Sequence, residues 1–180
     1  MNNTYYFIRH AHSNYTPDEI NRSLSDKGQA SLAQLEFLTD KAITAIYSSP
    51  YRRAIQTVEP LAQSLKLVIQ TDKRLIEREL SSQAIAGQDF EQCLMQLWSQ
   101  STFSLVGGES NQQAQQRALA LFHELESKHQ NEEIIISSHG NLICILLSAF
   151  DSSIDYDFWR SLSMPDVLVL DKDEKITRLL

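Results

Sequence analysis

Two apolar runs that each end in a histidine constrain this chain more than any other feature. Tyr6-Phe7-Ile8 leads into Arg9-His10, and Ile134-Ile135-Ile136-Ser137-Ser138 leads into His139-Gly140. Short continuous apolar runs of this kind read as strands buried on both faces, as in parallel sheets covered by helices. Ligands of such sheets gather beyond the carboxyl ends of the strands. A buried strand that delivers a permanent cation and an imidazole to that edge is building a site there.

The rest of the chain alternates in the same sense. The spacing predicts a helix from about Asp26 to Leu38, capped by Ser25, with Leu32, Leu35 and Leu38 on its buried face. Residues from Ala42 to Tyr47 read as a strand. Ser49 as cap and Pro50 in the first turn predict a helix that buries Ala54, Val58, Leu61, Ala62 and Leu65. Leu67 to Ile69 reads as a short strand and Leu75 to Gly87 as irregular. Phe90 to Trp98 reads as a helix striped by Leu94, Leu97 and Trp98. Ser110 and Gln113 form a capping box, which opens a helix with Ala114, Ala118, Leu121, Phe122 and Leu125 inward. Glu133 to Ser137 is a buried strand, followed by a helix from Asn141 to Phe150. Val167 to Leu170 and Ile176 to Leu179 flank a polar run and predict an antiparallel hairpin. No repeat, low-complexity tract or linker interrupts the pattern. The expected fold is α/β, a three-layer α/β/α sandwich with a mostly parallel central sheet, in one domain over residues 1–180.

Bulk properties narrow the function. A chain of 180 residues buries a substantial core. Its net charge of -7 argues against general nucleic-acid binding, while leaving room for a small cationic pocket. Cys93 and Cys144, few and far apart, read as reduced thiols. No apolar run approaches a membrane span, and the first strand begins too near Met1 for a signal peptide to precede it. The expected location is cytoplasmic.

Arg9, His10 and His139 fall at the carboxyl edge of the sheet, and so does Ser48-Ser49-Pro50-Tyr51-Arg52-Arg53. Arg52 and Arg53 occupy a first helical turn, where free N–H groups and the helix dipole favour an anion. A guanidinium adds a fork of donors matched to phosphate oxygens. Helical phase favours Arg53 as the inward one, because it adjoins Ala54. Taken singly, each piece has an ordinary explanation: a surface Arg-His pair, a His-Gly turn, a solvated helix start. Glu77 and Glu79 with Arg74 and Arg78 read equally as a solvated charge cluster. His12 makes a His-x-His with His10, a spacing that metal sites use, and His123 and His129 read as exposed. The joint arrangement decides. Separate βα junctions send cations to one edge, which suits holding and transferring a phosphoryl group.

These motifs, taken in order, resemble those of the histidine phosphatase superfamily, which has the phosphoglycerate-mutase-like fold. The Arg-His-Gly opening appears as Arg9-His10-Ala11, and Leu-Ser-x-x-Gly as Leu24-Ser25-Asp26-Lys27-Gly28. Ser-Pro-x-x-Arg-Ala-x-x-Thr appears as Ser49 to Thr57, which selects Arg53 over Arg52. Leu75-Ile76-Glu77, Gly108-Glu109-Ser110, Ser138-His139-Gly140 and Met164-Pro165 complete the set. The resemblance implies that His10 is the nucleophile and forms a phosphohistidine. It implies that Arg9, Arg53 and His139 surround the non-bridging oxygens, with Thr16 and Gly140 beside the phosphate. Glu77 protonates the leaving oxygen and then activates water. Neither metal nor cofactor is implied, because protein cations take the metal's place. The chain departs from the pattern at Ala11 (usually glycine), His12 (usually Glu or Gln), Thr16 (often Asn), Ser81 (often Gly) and Cys144 (often Arg).

The substrate expected is a small phosphorylated metabolite, with no nucleic acid or membrane as partner. The short segment at about 81–109 reads either as an apolar lid or as plain core, and the C-terminal hairpin offers an edge strand for a homodimer. A phosphoglycerate-mutase type of transfer is the first alternative, but mutases of this fold carry longer insertions. A phosphohistidine protein phosphatase is the second, and its short members tend to lack the acid that Glu77 supplies. A metallohydrolase built on His10, His12 and His139 lacks carboxylate ligands in register. A non-enzymatic module on this fold would have lost His10 or His139.

Overall fold

Strand β1 (Thr4–Arg9) lies inside the sheet because Tyr5, Phe7 and Ile8 leave it no face to show to water. The structure, a computed structural model, describes residues 1–83 and 87–180. Helix α1 (Asp26–Ser31), strand β2 (Ile43–Ser48), helix α2 (Arg52–Leu65) and strand β3 (Ile69–Thr71) follow. Next come helices α3 (Gly87–Ser99) and α4 (Asn111–Lys128), strand β4 (Glu133–Ser138) and helices α5 (Gly140–Leu147) and α6 (Tyr156–Ser161). Strands β5 (Asp166–Leu170) and β6 (Ile176–Arg178) close the chain's path. The six strands form one sheet in the order β3-β2-β4-β1-β5-β6. β3, β2, β4 and β1 run parallel, and β5 and β6 add an antiparallel hairpin on the β1 side.

Alternation along the strands divides the core in two. Tyr5, Phe7, Ile134 and Ile136 face α4 and α5, where Ala114, Ala118, Leu121, Phe122 and Leu125 are all buried. Tyr6, Ile8, Ile46 and Ile135 face Leu35, Leu38 and the Val58, Leu61 and Ala62 stripe of α2. The capping box is present in full: Ser110 Oγ accepts from Gln113 N, and Gln113 Oε1 accepts from Ser110 N. Among the described residues no helix is long and apolar enough to cross a membrane.

Several local expectations are corrected. The helix capped by Ser25 is α-helical only to Ser31, and Leu32–Asp40 continues as a 3₁₀ helix. Leu32, Leu35 and Leu38 recur every third residue, the repeat that a 3₁₀ helix aligns on one face. Ser49 and Pro50 do not start α2. The helix begins at Arg52 with Tyr51 at its cap, and the Ser49 hydroxyl is used elsewhere. Leu67 belongs to the close of α2, not to a strand. Lys66 turns left-handed (φ 56°) and Leu67 N donates to Ala62 O at 2.9 Å. Helix α6, capped by Asp155, was not expected. His129 is buried rather than exposed, held by Tyr47 Oη at 3.0 Å and Glu132 Oε2 at 2.9 Å. In the segment at 81–109, Leu94 and Leu97 are core residues and Trp98 stacks on Trp159. Residues 84–86 of that segment lie outside the described residues.

Candidate active site

The parallel strands all end at one edge, and backbone hydrogen bonds hold their exits together. His10 N donates to Ser138 O at 3.0 Å, Ser49 N to Ser137 O at 2.9 Å and Asp72 N to Ser48 O at 3.0 Å. His10 and His139 therefore leave adjacent strands side by side, and their rings lie edge to face with centroids 5.2 Å apart.

His10 is held in one tautomer. Its Nδ1 faces Ala11 O at 2.7 Å, a carbonyl that can only accept. The proton therefore sits on Nδ1, and Nε2 keeps its lone pair. Arg53 Nε donates to that lone pair at 3.1 Å. Burial pushes the His10 pKa down to about 3, and the charges of Arg53, Arg9 and Arg22 add to this against the bond to Ala11 O. His139 is likewise driven well below its ordinary value, first by burial and then by His10 and the arginines. Both rings are neutral at pH 7. A neutral imidazole with a lone pair on one ring nitrogen is the nucleophilic form, once the donor on that lone pair is drawn away.

This predicts an acid-sensitive fold. The unfolded chain protonates both imidazoles near pH 6.5, whereas folded His10 resists protonation until about pH 3. Stability is complete above pH 6.5 and falls as the pH drops through that window, approaching about 1.4 kcal/mol per pH unit for each histidine. Urea unfolding at pH 7.5 and 5 measures it. A His10→Gln variant should lose clearly less stability between those values than the natural chain, and an equal loss would refute the assignment.

The other motif residues serve this centre. Thr57 Oγ1 accepts from Ala11 N at 3.0 Å and donates to Arg53 O at 2.7 Å, which joins α2 to the segment after His10. Arg53 is 2 % exposed, whereas Arg52 faces solvent. Ser49 Oγ lies 2.9 Å from His139 Nε2, and the Tyr51 ring sits 5.0 Å from the Arg53 guanidinium carbon and 5.1 Å from the His139 ring. Arg9 donates through Nη1 to Leu162 O at 2.8 Å, while its Nε and His139 Nδ1 are buried without a protein partner. A β-carbon on Gly140 would fall 2.9 Å from Arg9 Nε and 3.2 Å from Trp159 Nε1, so the glycine lets that guanidinium approach α5. Gly28 has a similar duty, since a β-carbon there would collide with His12 O.

Glu77 reaches the same region from the far side. Its carboxylate accepts from Leu142 N at 3.1 Å and Asn141 N at 3.4 Å in the first turn of α5, and from Arg78 N at 2.9 Å. Glu109 fixes the backbone that carries it. Arg117 pairs with Glu109 at 2.6 Å and donates to Arg74 O at 2.7 Å and Glu77 O at 3.4 Å. A cavity of about 430 Å³ opens beside these groups, lined by Glu19, Tyr51, Glu77, Arg78 and Glu79 among others.

The structure thus joins Arg9, His10, Arg53, Glu77, His139 and Gly140 at one edge. It does not join Thr16, which lies exposed with its hydroxyl spent on Asp18 O at 3.2 Å. His12 is turned to Ser25 Oγ at 2.7 Å, and among the described residues no group of three or more His, Cys, Asp or Glu is arranged to hold a metal. Burial pushes the Cys144 thiol up, away from reactivity. Two residues were missed by sequence reasoning. Glu19 bridges Arg53 Nη2 and Arg22 Nη1, each at 3.1 Å. The loop that carries Glu19 and Arg22 is pinched at its base by the Ser13–Leu24 bridge. The only sequence signal was the position of Arg22 just before Leu24-Ser25.

Known proteins resemble this chain in sequence and in fold. The profile of the histidine phosphatase superfamily (branch 1) matches residues 5–171. The protein named Putative phosphoserine phosphatase 2 of Hydrogenobacter thermophilus is 29% identical over 159 residues, which span 78% of this chain and 77% of that one. In fold, the chain is similar to mycobacterial glucosyl-3-phosphoglycerate phosphatase in complex with VO3, with a TM-score of 0.80 at 22% identity over 98% of this chain and 97% of the other. It is also similar to Bacillus stearothermophilus YhfR, with a TM-score of 0.79 at 22% identity over 99% and 96% of the two chains.

Proposed function

The chain belongs to the histidine phosphatase superfamily, and from that premise we propose that it is a phosphatase that hydrolyses a small phosphomonoester without metal, through a phosphohistidine. The observation that carries the reading is the state of His10: Nδ1 tied to Ala11 O at 2.7 Å, and the Nε2 lone pair turned to Arg53 at 3.1 Å. The names borne by its relatives support the reaction class. The cavity of about 430 Å³ suits a small leaving group.

The steps follow from the groups in place. Substrate phosphate takes the donors of Arg53 and Arg9, which frees the Nε2 lone pair. Nε2 attacks phosphorus, the N–P bond forms as the P–O bond to the leaving group breaks, and Glu77 gives its proton to the departing oxygen. Positive charge around the three non-bridging oxygens stabilises the transition state, because phosphoryl transfer depends mainly on positioning and electrostatics. Glu77, now ionised, takes a proton from water. That water attacks phosphorus, phosphate leaves and Nε2 recovers its lone pair. The two free thiols fit a reducing compartment, consistent with a cytoplasmic enzyme.

Rapid quenching with a labelled phosphomonoester tests the reading. Label should appear on the protein, stable in base and labile in acid, at up to one equivalent. Excess chelator should change neither labelling nor turnover, and vanadate should inhibit without added metal. Activity that needs added metal and leaves no label would replace the reading with a metallohydrolase.

A further inference from the structure

We propose that the Glu19 carboxylate holds the place of the substrate phosphate, and that every phosphate entering the site must displace it. The inference rests on the phosphatase reading above and adds a residue that tunes the phosphate subsite. Glu19 receives Arg22 Nη1 on one oxygen and Arg53 Nη2 on the other, each at 3.1 Å. Two guanidiniums converging on one anionic group form the arrangement that also receives a phosphate. The same guanidinium also holds the nucleophile, since Arg53 Nε donates to His10 Nε2 at 3.1 Å. The free enzyme is therefore a closed chain of partners, Arg22–Glu19–Arg53–His10, and His10 cannot attack until Arg53 lets go. Arg22 Nε is buried with no partner of its own, so this guanidinium has donor capacity that Glu19 leaves unused.

The geometry lets the carboxylate leave while the loop stays. The Glu19 side chain is 47% exposed and lines the cavity beside Glu77. Its backbone is anchored separately: Arg53 Nη1 donates to Glu19 O at 2.7 Å, and Arg52 N donates to Ile20 O at 2.9 Å. A side-chain rotation opens the site without moving the loop. The consequence is weak retention of product. Inorganic phosphate competes with a tethered carboxylate, which closes the site again as phosphate departs.

The experiment uses the full chain and the Glu19→Gln variant, with inorganic phosphate and vanadate as probes. Inhibition of p-nitrophenyl phosphate hydrolysis gives the affinities, and titration calorimetry with phosphate gives them without turnover. A half-exposed ion pair is worth at most about fivefold, so loss of both should tighten phosphate and vanadate on the order of tenfold and lower KM in parallel. Damage to a merely structural contact would weaken binding, so the direction of the change is diagnostic. Unchanged or weaker phosphate affinity in an active, folded Glu19→Gln variant would overturn the proposal and leave the phosphatase reading intact. A natural chain that neither turns over p-nitrophenyl phosphate nor binds phosphate would overturn both. Glu19→Ala, which removes the acceptor altogether, should tighten phosphate at least as much as Glu19→Gln, and a weaker response would count against displacement.

Discussion

Replacing His10 by alanine is expected to abolish hydrolysis of p-nitrophenyl phosphate, a loss of about 10⁴-fold or more, as for nucleophiles removed elsewhere. No neighbour can take over. His139 has its ring centroid 5.2 Å away and is held there by Ser49 Oγ at 2.9 Å from its Nε2, so its nitrogens do not occupy the place of His10 Nε2. The cations survive the change: Arg53 keeps Glu19 and Arg9 keeps Leu162 O. Phosphate should therefore still bind while turnover disappears, and calorimetry separates the two. The variant keeps the backbone bond from residue 10 N to Ser138 O, which does not depend on the imidazole, and circular dichroism checks its fold. Activity above about one part in a hundred in a folded His10→Ala protein would remove His10 from the role of nucleophile.

Replacing Glu77 by glutamine is the second large effect, and it should depend on the leaving group. An alkoxide leaves badly unless it is protonated, so alkyl phosphomonoesters should lose about 10² to 10⁴-fold. Nitrophenolate needs no proton, so the first turnover of p-nitrophenyl phosphate should stay within about tenfold of normal. Later turnovers should be slow, because the same carboxylate activates the water that clears the phosphohistidine. The time course should show a burst equal to the enzyme present, followed by a slow steady state. The amide oxygen can still accept from Leu142 N, the closer of the two α5 donors at 3.1 Å, so α5 keeps part of its cap. An equal first-turnover loss for good and poor leaving groups would show that Glu77 positions α5 and transfers no proton.

Much of this arrangement could be read in the sequence, for physical reasons. A strand buried on both faces has a strong signature, so β1 and β4 stood out and their ends located His10 and His139. The capping box stood out because both partners of Ser110 and Gln113 are local. Helical phase beside Ala54 only leaned toward Arg53, and the resemblance of the run from Ser49 to Thr57 to the family motif selected it over Arg52. What escaped depends on partners far along the chain. His129 looked like an exposed helix end, yet it is buried at the end of α4 with its ring against Tyr47 of β2. Glu19 and Arg22 sit in a polar stretch without periodicity. Only the return of the loop through the Ser13–Leu24 bridge, and its bond from Arg52 N to Ile20 O, brings them to Arg53. Thr16 shares that stretch, but its position along the chain did not show that it would remain exposed.

The pairing of β1 with β4, Arg9 opposite Ser138, bears on when the molecule becomes competent. His10 and its partner His139 lie far apart along the chain, so a fragment that ends before β4 holds one without the other. No emerging fragment ending before β4 can carry out the reaction, however well its helices form. Joining segments so distant carries a large closure entropy and slows assembly. Catalysis therefore reports completed topology. In refolding, recovery of turnover should lag behind recovery of helical circular dichroism.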